Sequence, residues 1–325
     1  MSPFLTFVRA LSIVLVLLPS TGPVQAQGAT DRPLRLVLPF GAGTSTDQLA
    51  RILAEAITAE TRQPVVVENR PGAEGFIGAQ AVATAPADGS TVLVSSNSTH
   101  VLNLHLYRKL PYDPVKDFVP VRTLGQAALG ITVNAESPWR SVQELAAAAR
   151  REPGRLTFAS ATAVTRLAGE MFRQAAGVDL LNVPYKSNTL SVNGLIGREI
   201  DVIFVDPVQV LQHARPGGRL RLLAVTGPAR NTALPEVPTV RESGFPDYVT
   251  TFWYGAWVPA GTPAAAVARI DALLGRAMAS PAAQAFLRNG GIESLDLSGE
   301  AFAAFQATEI ARVGRVLKAA GIEPQ

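Results

Sequence analysis

The chain has no cysteine, only three histidines, and no run of lysine or arginine. Each absence removes a class of function. Without Cys there is no disulfide framework, thiolate zinc site, iron–sulfur cluster or cysteine nucleophile. His100, His105 and His213 are too few for a multi-histidine metal site. The formal charge of +3 comes from 29 basic and 26 acidic residues with no basic patch, which argues against a nucleic-acid partner. Charged residues make up 17% and hydrophobic residues 47%, excluding a disordered chain or a coiled coil. No apolar stretch approaches the roughly 20 residues that span a bilayer.

What is present begins with an export pattern. Arg9 precedes an apolar core at 11–18 and the breakers Pro19, Gly22 and Pro23. Val24-Gln25-Ala26 has the small-x-small form of a signal-peptidase site, so residues 1–26 are expected to be a signal peptide. In a bacterial cell the mature chain would then reside in the periplasm. Its 325 residues allow about two domains.

From residue 34 onward, strand-like apolar runs alternate with segments of helical period. The pattern predicts strands at 34–40, 64–68, 91–95, 156–159, 181–184, 200–205, 219–225 and 250–258. It predicts helices at 45–61, 75–85, 189–196 and 299–320, and one ending near Gly177. Ser141-Val142-Gln143-Glu144 is a capping box, and Thr262-Pro263 reads as an N-cap followed by a first-turn proline. Alternation at this spacing argues for βα units and mainly parallel sheets. Apolar stretches at 121–133 and 250–258 suggest two lobes joined by two crossings, with the ligand cleft between them.

The candidate ligand groups lie where strands give way to helices. Gly41-Ala42-Gly43-Thr44-Ser45-Thr46 follows the first strand, and its small residues, amides and helix dipole favour an anion. A Rossmann dinucleotide loop is the enzyme alternative, but Thr46 replaces its third glycine. Asp47 in the first helical turn complements the dipole. Ser96, Asn97, Ser98 and Thr99 follow the third strand and offer hydroxyls and an amide. His100 beside them reads as a surface or capping residue. Ser160, Ala161, Thr162 and Thr165 precede another helix, a second candidate anion site. Arg166 just inside it is placed to reach a second carboxylate and select diacids, or else faces solvent. Asp206 ends a strand at the edge where open sheets place ligands, as a ligand group, a general base or an N-cap. No G-x-S-x-G elbow or paired Ser and His is present.

Pro39-Phe40-Gly41-Ala42-Gly43 with Asp47, Pro64-Val65-Val66-Val67-Glu68-Asn69-Arg70-Pro71-Gly72-Ala73, and Leu110-Pro111-Tyr112-Asp113-Pro114 resemble the Bug family. Val183-Pro184-Tyr185-Lys186, Leu234-Pro235-Glu236-Val237-Pro238-Thr239 and Ala260-Gly261-Thr262-Pro263 extend the likeness in order along the chain. These are extracytoplasmic binding proteins of tripartite tricarboxylate transporters. The resemblance implies an α/β, type II-like two-lobed periplasmic binding fold, each lobe a mainly parallel sheet flanked by helices, with two crossing strands as a hinge. Lobe 1 would comprise 27–127 and 250–325, and lobe 2 would comprise 128–249. The implied function is capture of a small organic carboxylate (a di- or tricarboxylate, an acidic amino acid or an aromatic acid) by a monomer that uses no cofactor. Its partner would be a membrane permease. An enzyme on the same scaffold and a sensor that presents its ligand to a signalling receptor are the alternatives. By the same resemblance Phe40 and Tyr185 join the ligand-binding set. The chain departs from the family at Thr44 and Ser45, at Thr162–Thr165 followed by Arg166, and at Ser187 after Tyr185-Lys186.

Overall fold

Short β-branched strands and amphipathic helices alternate through the computed structural model, which describes residues 32–319 and 321–324. The expected signal peptide lies outside the described residues. The first half comprises β1 (Leu34–Leu38), α1 (Ser45–Thr61), β2 (Val65–Asn69), α2 (Phe76–Ala83), β3 (Thr91–Ser96), α3 (Asn103–Leu106) and β4 (Phe118–Ala128). The middle contributes β5 (Gly130–Asn134), α4 (Val142–Arg151), β6 (Thr157–Ser160), α5 (Ala163–Ala176), β7 (Leu181–Pro184), α6 (Asn188–Ile196), β8 (Val202–Val205) and β9 (Leu220–Val225). Then follow β10 (Thr251–Pro259), α7 (Ala264–Met278), α8 (Pro281–Gly290) and α9 (Gly299–Ala319).

The strands form two five-stranded sheets with matching topologies, β2-β1-β3-β10-β4 and β7-β6-β8-β5-β9. Four strands of each sheet run one way. The fifth, β10 in one and β5 in the other, is antiparallel to both neighbours, so each sheet is mixed. The reversed strand is in each case the one that has just crossed from the other lobe. It enters where the carboxyl ends of its neighbours lie and must therefore run against them. The same geometry turns the loops after β1, β3, β6 and β8 toward the space between the lobes.

The periodic faces seen in the sequence supply the core. Helix α1 buries Leu49, Ala50, Leu53 and Ile57, and it is capped by the Thr44 hydroxyl, which accepts from the Asp47 amide. In the first lobe Trp253, Trp257 and Phe302 are fully buried against one another, with Trp257 and Phe302 ring centres 5.1 Å apart. Phe158, Phe172 and Phe204 fill the second. Two local expectations change. Ser141 caps α4, but the Glu144 carboxylate reaches back to the Arg140 amide rather than that of Ser141. Thr262 does not cap α7; its hydroxyl donates to the Pro259 carbonyl, and the helix starts without a side-chain cap.

One residue ties the two crossings together. The Thr226 amide donates to the Leu129 carbonyl, and its hydroxyl accepts from the Leu129 amide (2.8 Å) while donating to the Thr250 carbonyl (2.6 Å). Thr226 is fully buried, so replacing it with the near-isosteric Val would leave a buried donor and acceptor unpaired. We expect Thr226→Val to destabilise the fold by about 2–4 kcal/mol, and Thr226→Ser to recover most of it, measured by urea denaturation.

Candidate functional site

Between the two sheets lies a small cavity walled by both lobes, about 30 Å³ in volume. That is room for two or three water-sized groups at about 10–15 Å³ each. From the first lobe come Phe40, Thr44, Ser45, Thr46, Ser96, Phe252 and Tyr254; from the second come Thr162, Val164, Thr165, Asn188, Asp206 and Gln209, with Leu129 at the crossing. Asp206 is the single formally charged side chain among these.

Asp206 caps the turn after β8, its Oδ1 accepting from the Val208 amide (2.9 Å). Its Oδ2 accepts from the Tyr254 hydroxyl of the other lobe at 2.5 Å, and that hydroxyl is 2.7 Å from Ser45 Oγ. All three residues are buried. Burial raises the Asp206 carboxyl above its ordinary value, and the hydrogen bonds from Ser45, Tyr254 and the Val208 amide offset this only in part. The Tyr254 hydroxyl is pushed far above the usual phenol value, by burial first and the Asp206 charge second.

The two candidate anion-binding helix starts are not equivalent. At α1, the Gly43 amide is turned away from the cavity to Asp47 Oδ2 (2.9 Å), and Asp47 is held in turn by Arg51 and Asn69. The loop is thereby braced, while the amides of Ser45 and Thr46 have no acceptor among the described residues. At α5, a reciprocal capping box consumes the donors: the amides of Ala161 and Thr162 both go to the Thr165 hydroxyl. The Val164 amide goes across the cleft to Ser98 Oγ (3.2 Å). The Ala163 amide of α5 also has no acceptor among the described residues, but Ala163 stands outside the cavity lining, whereas Ser45 and Thr46 of α1 line it.

Of the residues expected from the sequence, Phe40, Thr44, Ser45, Ser96, Thr162, Thr165 and Asp206 line the cavity. The others stand outside its lining. Gly41, Ala42 and Ser98 instead make cross-lobe contacts: a Cβ on Gly41 would lie 2.6 Å from Ser187 Cβ, and the Ala42 carbonyl accepts from the Thr189 hydroxyl. Asn97 donates to the Thr251 carbonyl, Thr99 bonds Ser95 and His100, and Ser160 bonds Asn182. Tyr185 bonds Glu199. Arg166 is half-buried and stands outside the cavity lining; its guanidinium is 3.5 Å from the Tyr107 hydroxyl and interacts with the Glu74 carboxylate, a cross-lobe contact. His100 is a core residue rather than a surface one, fully buried and stacked on Trp257.

Comparison with known proteins places this arrangement. Residues 49–322 match the profile of the tripartite tricarboxylate transporter family receptor. The chain belongs to this family. The receptor is similar to the periplasmic binding protein BugD, with 32% identity, a TM-score of 0.86, and coverage of 90% of this chain and 99% of that one. A Rhodopseudomonas palustris protein solved with adipate shares 32% identity at a TM-score of 0.84, covering 90% and 99%. MatC from the same organism, solved with bound malate, shares 27% at 0.83, covering 88% and 99%. The two-lobed α/β fold is therefore that of the Bug periplasmic binding proteins.

Sequence reasoning missed Leu129, Asn188, Gln209, Phe252 and Tyr254 as lining residues of the receptor. Tyr254 lay inside a run taken as an apolar crossing; the signal was a polar ring tip among apolar neighbours. Strand register places it opposite Ser96. The buried side-chain oxygens of Asn188 and Gln209 have no donor among the described residues, so both oxygens are free to accept a hydrogen bond from a ligand.

Proposed function

We propose that the receptor captures a small organic carboxylate between its lobes, in the periplasm after removal of residues 1–26, and delivers it unchanged to a membrane permease. The lobes in this reading are 27–127 with 250–325, and 128–249, and the chain acts as a monomer. The observation that carries it is the convergence of hydroxyls from both lobes over the unspent Ser45 and Thr46 amides of α1. A carboxylate seated there would receive hydrogen bonds worth roughly 1.5–3 kcal/mol each, enough in sum to hold an anion without a buried Lys or Arg. The adipate and malate found in two relatives support an acid of similar size. The cavity holds a carboxylate group but not the length of such a diacid. Ligand entry therefore requires the lobes to part, with Leu129 and Thr250 at the hinge.

Thermal-shift screening of the mature chain against mono-, di- and tricarboxylates tests this reading. A ligand at a hundredfold excess over its Kd should stabilise the protein by about 2.7 kcal/mol. A chain that responds to sugars or to cations and to no carboxylate would overturn it.

A further inference from the structure

Resting on that carboxylate reading, we propose that Asp206, Tyr254 and Ser45 form a proton relay that couples ligand capture to the uptake of one proton. The argument starts from hydrogen counting. Asp206 Oδ2, the Tyr254 hydroxyl and Ser45 Oγ are linked at 2.5 and 2.7 Å, and each hydroxyl has one proton to donate. With Asp206 ionised, Tyr254 donates to it, and Ser45, whose hydroxyl lies against both groups, donates either to Tyr254 or to the carboxylate itself. Ser45 then shows only lone pairs to the cavity, the wrong face for a carboxylate.

Protonation of Asp206 reverses every bond. The acid O–H donates to Tyr254, Tyr254 donates to Ser45, and the Ser45 hydroxyl is released to donate to the ligand beside the α1 amides. The proton comes from solvent, and each hydroxyl still carries one. Charge points the same way. An ionised Asp206 would sit against a bound anion in a cavity whose lining has no Lys, Arg or His. The surrounding elements present Tyr254 from β10, Ser45 and Thr46 from α1, Ser96 from β3, Thr165 from α5 and Asn188 from α6. Tyr254 alone of these titrates. Asp47, the acid on the first turn of α1, is committed to Arg51, Asn69 and the Gly43 amide. Burial already holds the Asp206 carboxyl above its ordinary range in the absence of ligand.

Asp206→Asn reproduces the protonated state, because the Asn oxygen can accept from the Val208 amide while its NH2 donates to Tyr254. The test is isothermal calorimetry with adipate and with malate between about pH 6.5 and about pH 9.5, where both acids stay ionised, in buffers of different ionisation enthalpy. The wild type is expected to take up close to one proton per ligand above the Asp206 pKa, with Kd weakening by up to about tenfold per pH unit. Asp206→Asn should bind with a flat pH profile, and more tightly than the wild type at the alkaline end. Wild-type binding with no proton uptake and no pH dependence overturns the relay and leaves the carboxylate reading standing. So does an Asp206→Asn variant that is folded but weaker at every pH, which would make the ionised carboxylate a direct ligand contact. Absence of binding by any carboxylate overturns the reading and the relay with it.

Discussion

Gly41→Ala is expected to weaken ligand capture by about tenfold to a hundredfold while leaving both lobes folded. The added methyl would lie 2.6 Å from Ser187 Cβ and 2.9 Å from its Oγ. Ser187 has little freedom to yield, since its side chain caps α6 by accepting from the Leu190 amide. Gly41 and Ser187 belong to different lobes, so the clash exists only when the lobes are together. Overpacking of this kind costs about 1–3 kcal/mol, all of it charged to the closed state. Next to it, the Thr189–Ala42 hydrogen bond across the cleft would be strained by the same displacement. Calorimetry with the acid identified by screening measures the loss, and thermal unfolding without ligand checks the fold. The double variant Gly41→Ala/Ser187→Gly removes both colliding side-chain atoms and should restore affinity. Undiminished binding by Gly41→Ala alone would show that capture does not require this closed contact.

The second large effect is on acid stability. His100 is fully buried, stacked on Trp257 at 3.9 Å and edge-on to Phe118 at 4.8 Å. Its Nδ1 meets the Thr99 hydroxyl at 2.8 Å, and its Nε2 has no partner among the described residues. Burial lowers its pKa from 6.5 to about 3. The unfolded chain therefore takes up a proton below pH 6.5 that the folded chain refuses until about pH 3. Stability is lost as pH falls through that window, by up to about 5 kcal/mol. His100→Phe keeps the stack and removes the titration. Its unfolding free energy should change much less between pH 7 and pH 4 than that of the wild type, as measured by urea denaturation. Equal changes in the two proteins would exonerate His100. Asp206 acts with the opposite sign: its raised pKa makes its contribution fall as pH rises from 3.8 through the folded value.

Much of the scaffold is legible in local pattern. Helix α1 runs over the residues its period predicts, and β7 does likewise at Leu181–Pro184. The crossing at 250–258 is visible as an apolar run because β10 is buried on both faces and has no polar side to alternate with, and the run at 121–133 ends in β5, which is buried in the same way. Small and hydroxyl residues after β1, β3 and β6, and Asp206 after β8, mark the strand ends where the site forms, since a ligand must reach backbone there. These signals are local: hydrophobic period, turn chemistry and composition are read within one segment.

Partnership between distant segments is not local, and only the tertiary structure decided it. Both α1 and α5 begin with hydroxyl-rich turns, yet α5 turns the amides of Ala161, Thr162 and Val164 to Thr165 and Ser98 while α1 keeps those of Ser45 and Thr46 unspent at the cavity. His100 looks like a polar residue in a polar turn until Trp257 closes over it. Arg166 could face a ligand or solvent by sequence; packing of α5 against the first lobe sends it to Tyr107 and Glu74. The register of β10 between β3 and β4 sets Tyr254 opposite Ser96 and within reach of Asp206. A one-residue slip would turn that hydroxyl to the other face of the sheet and leave Asp206 without its partner. Sequence determined that this chain has two α/β lobes with ligand-ready strand ends; which donors face the cleft was decided by how the lobes meet.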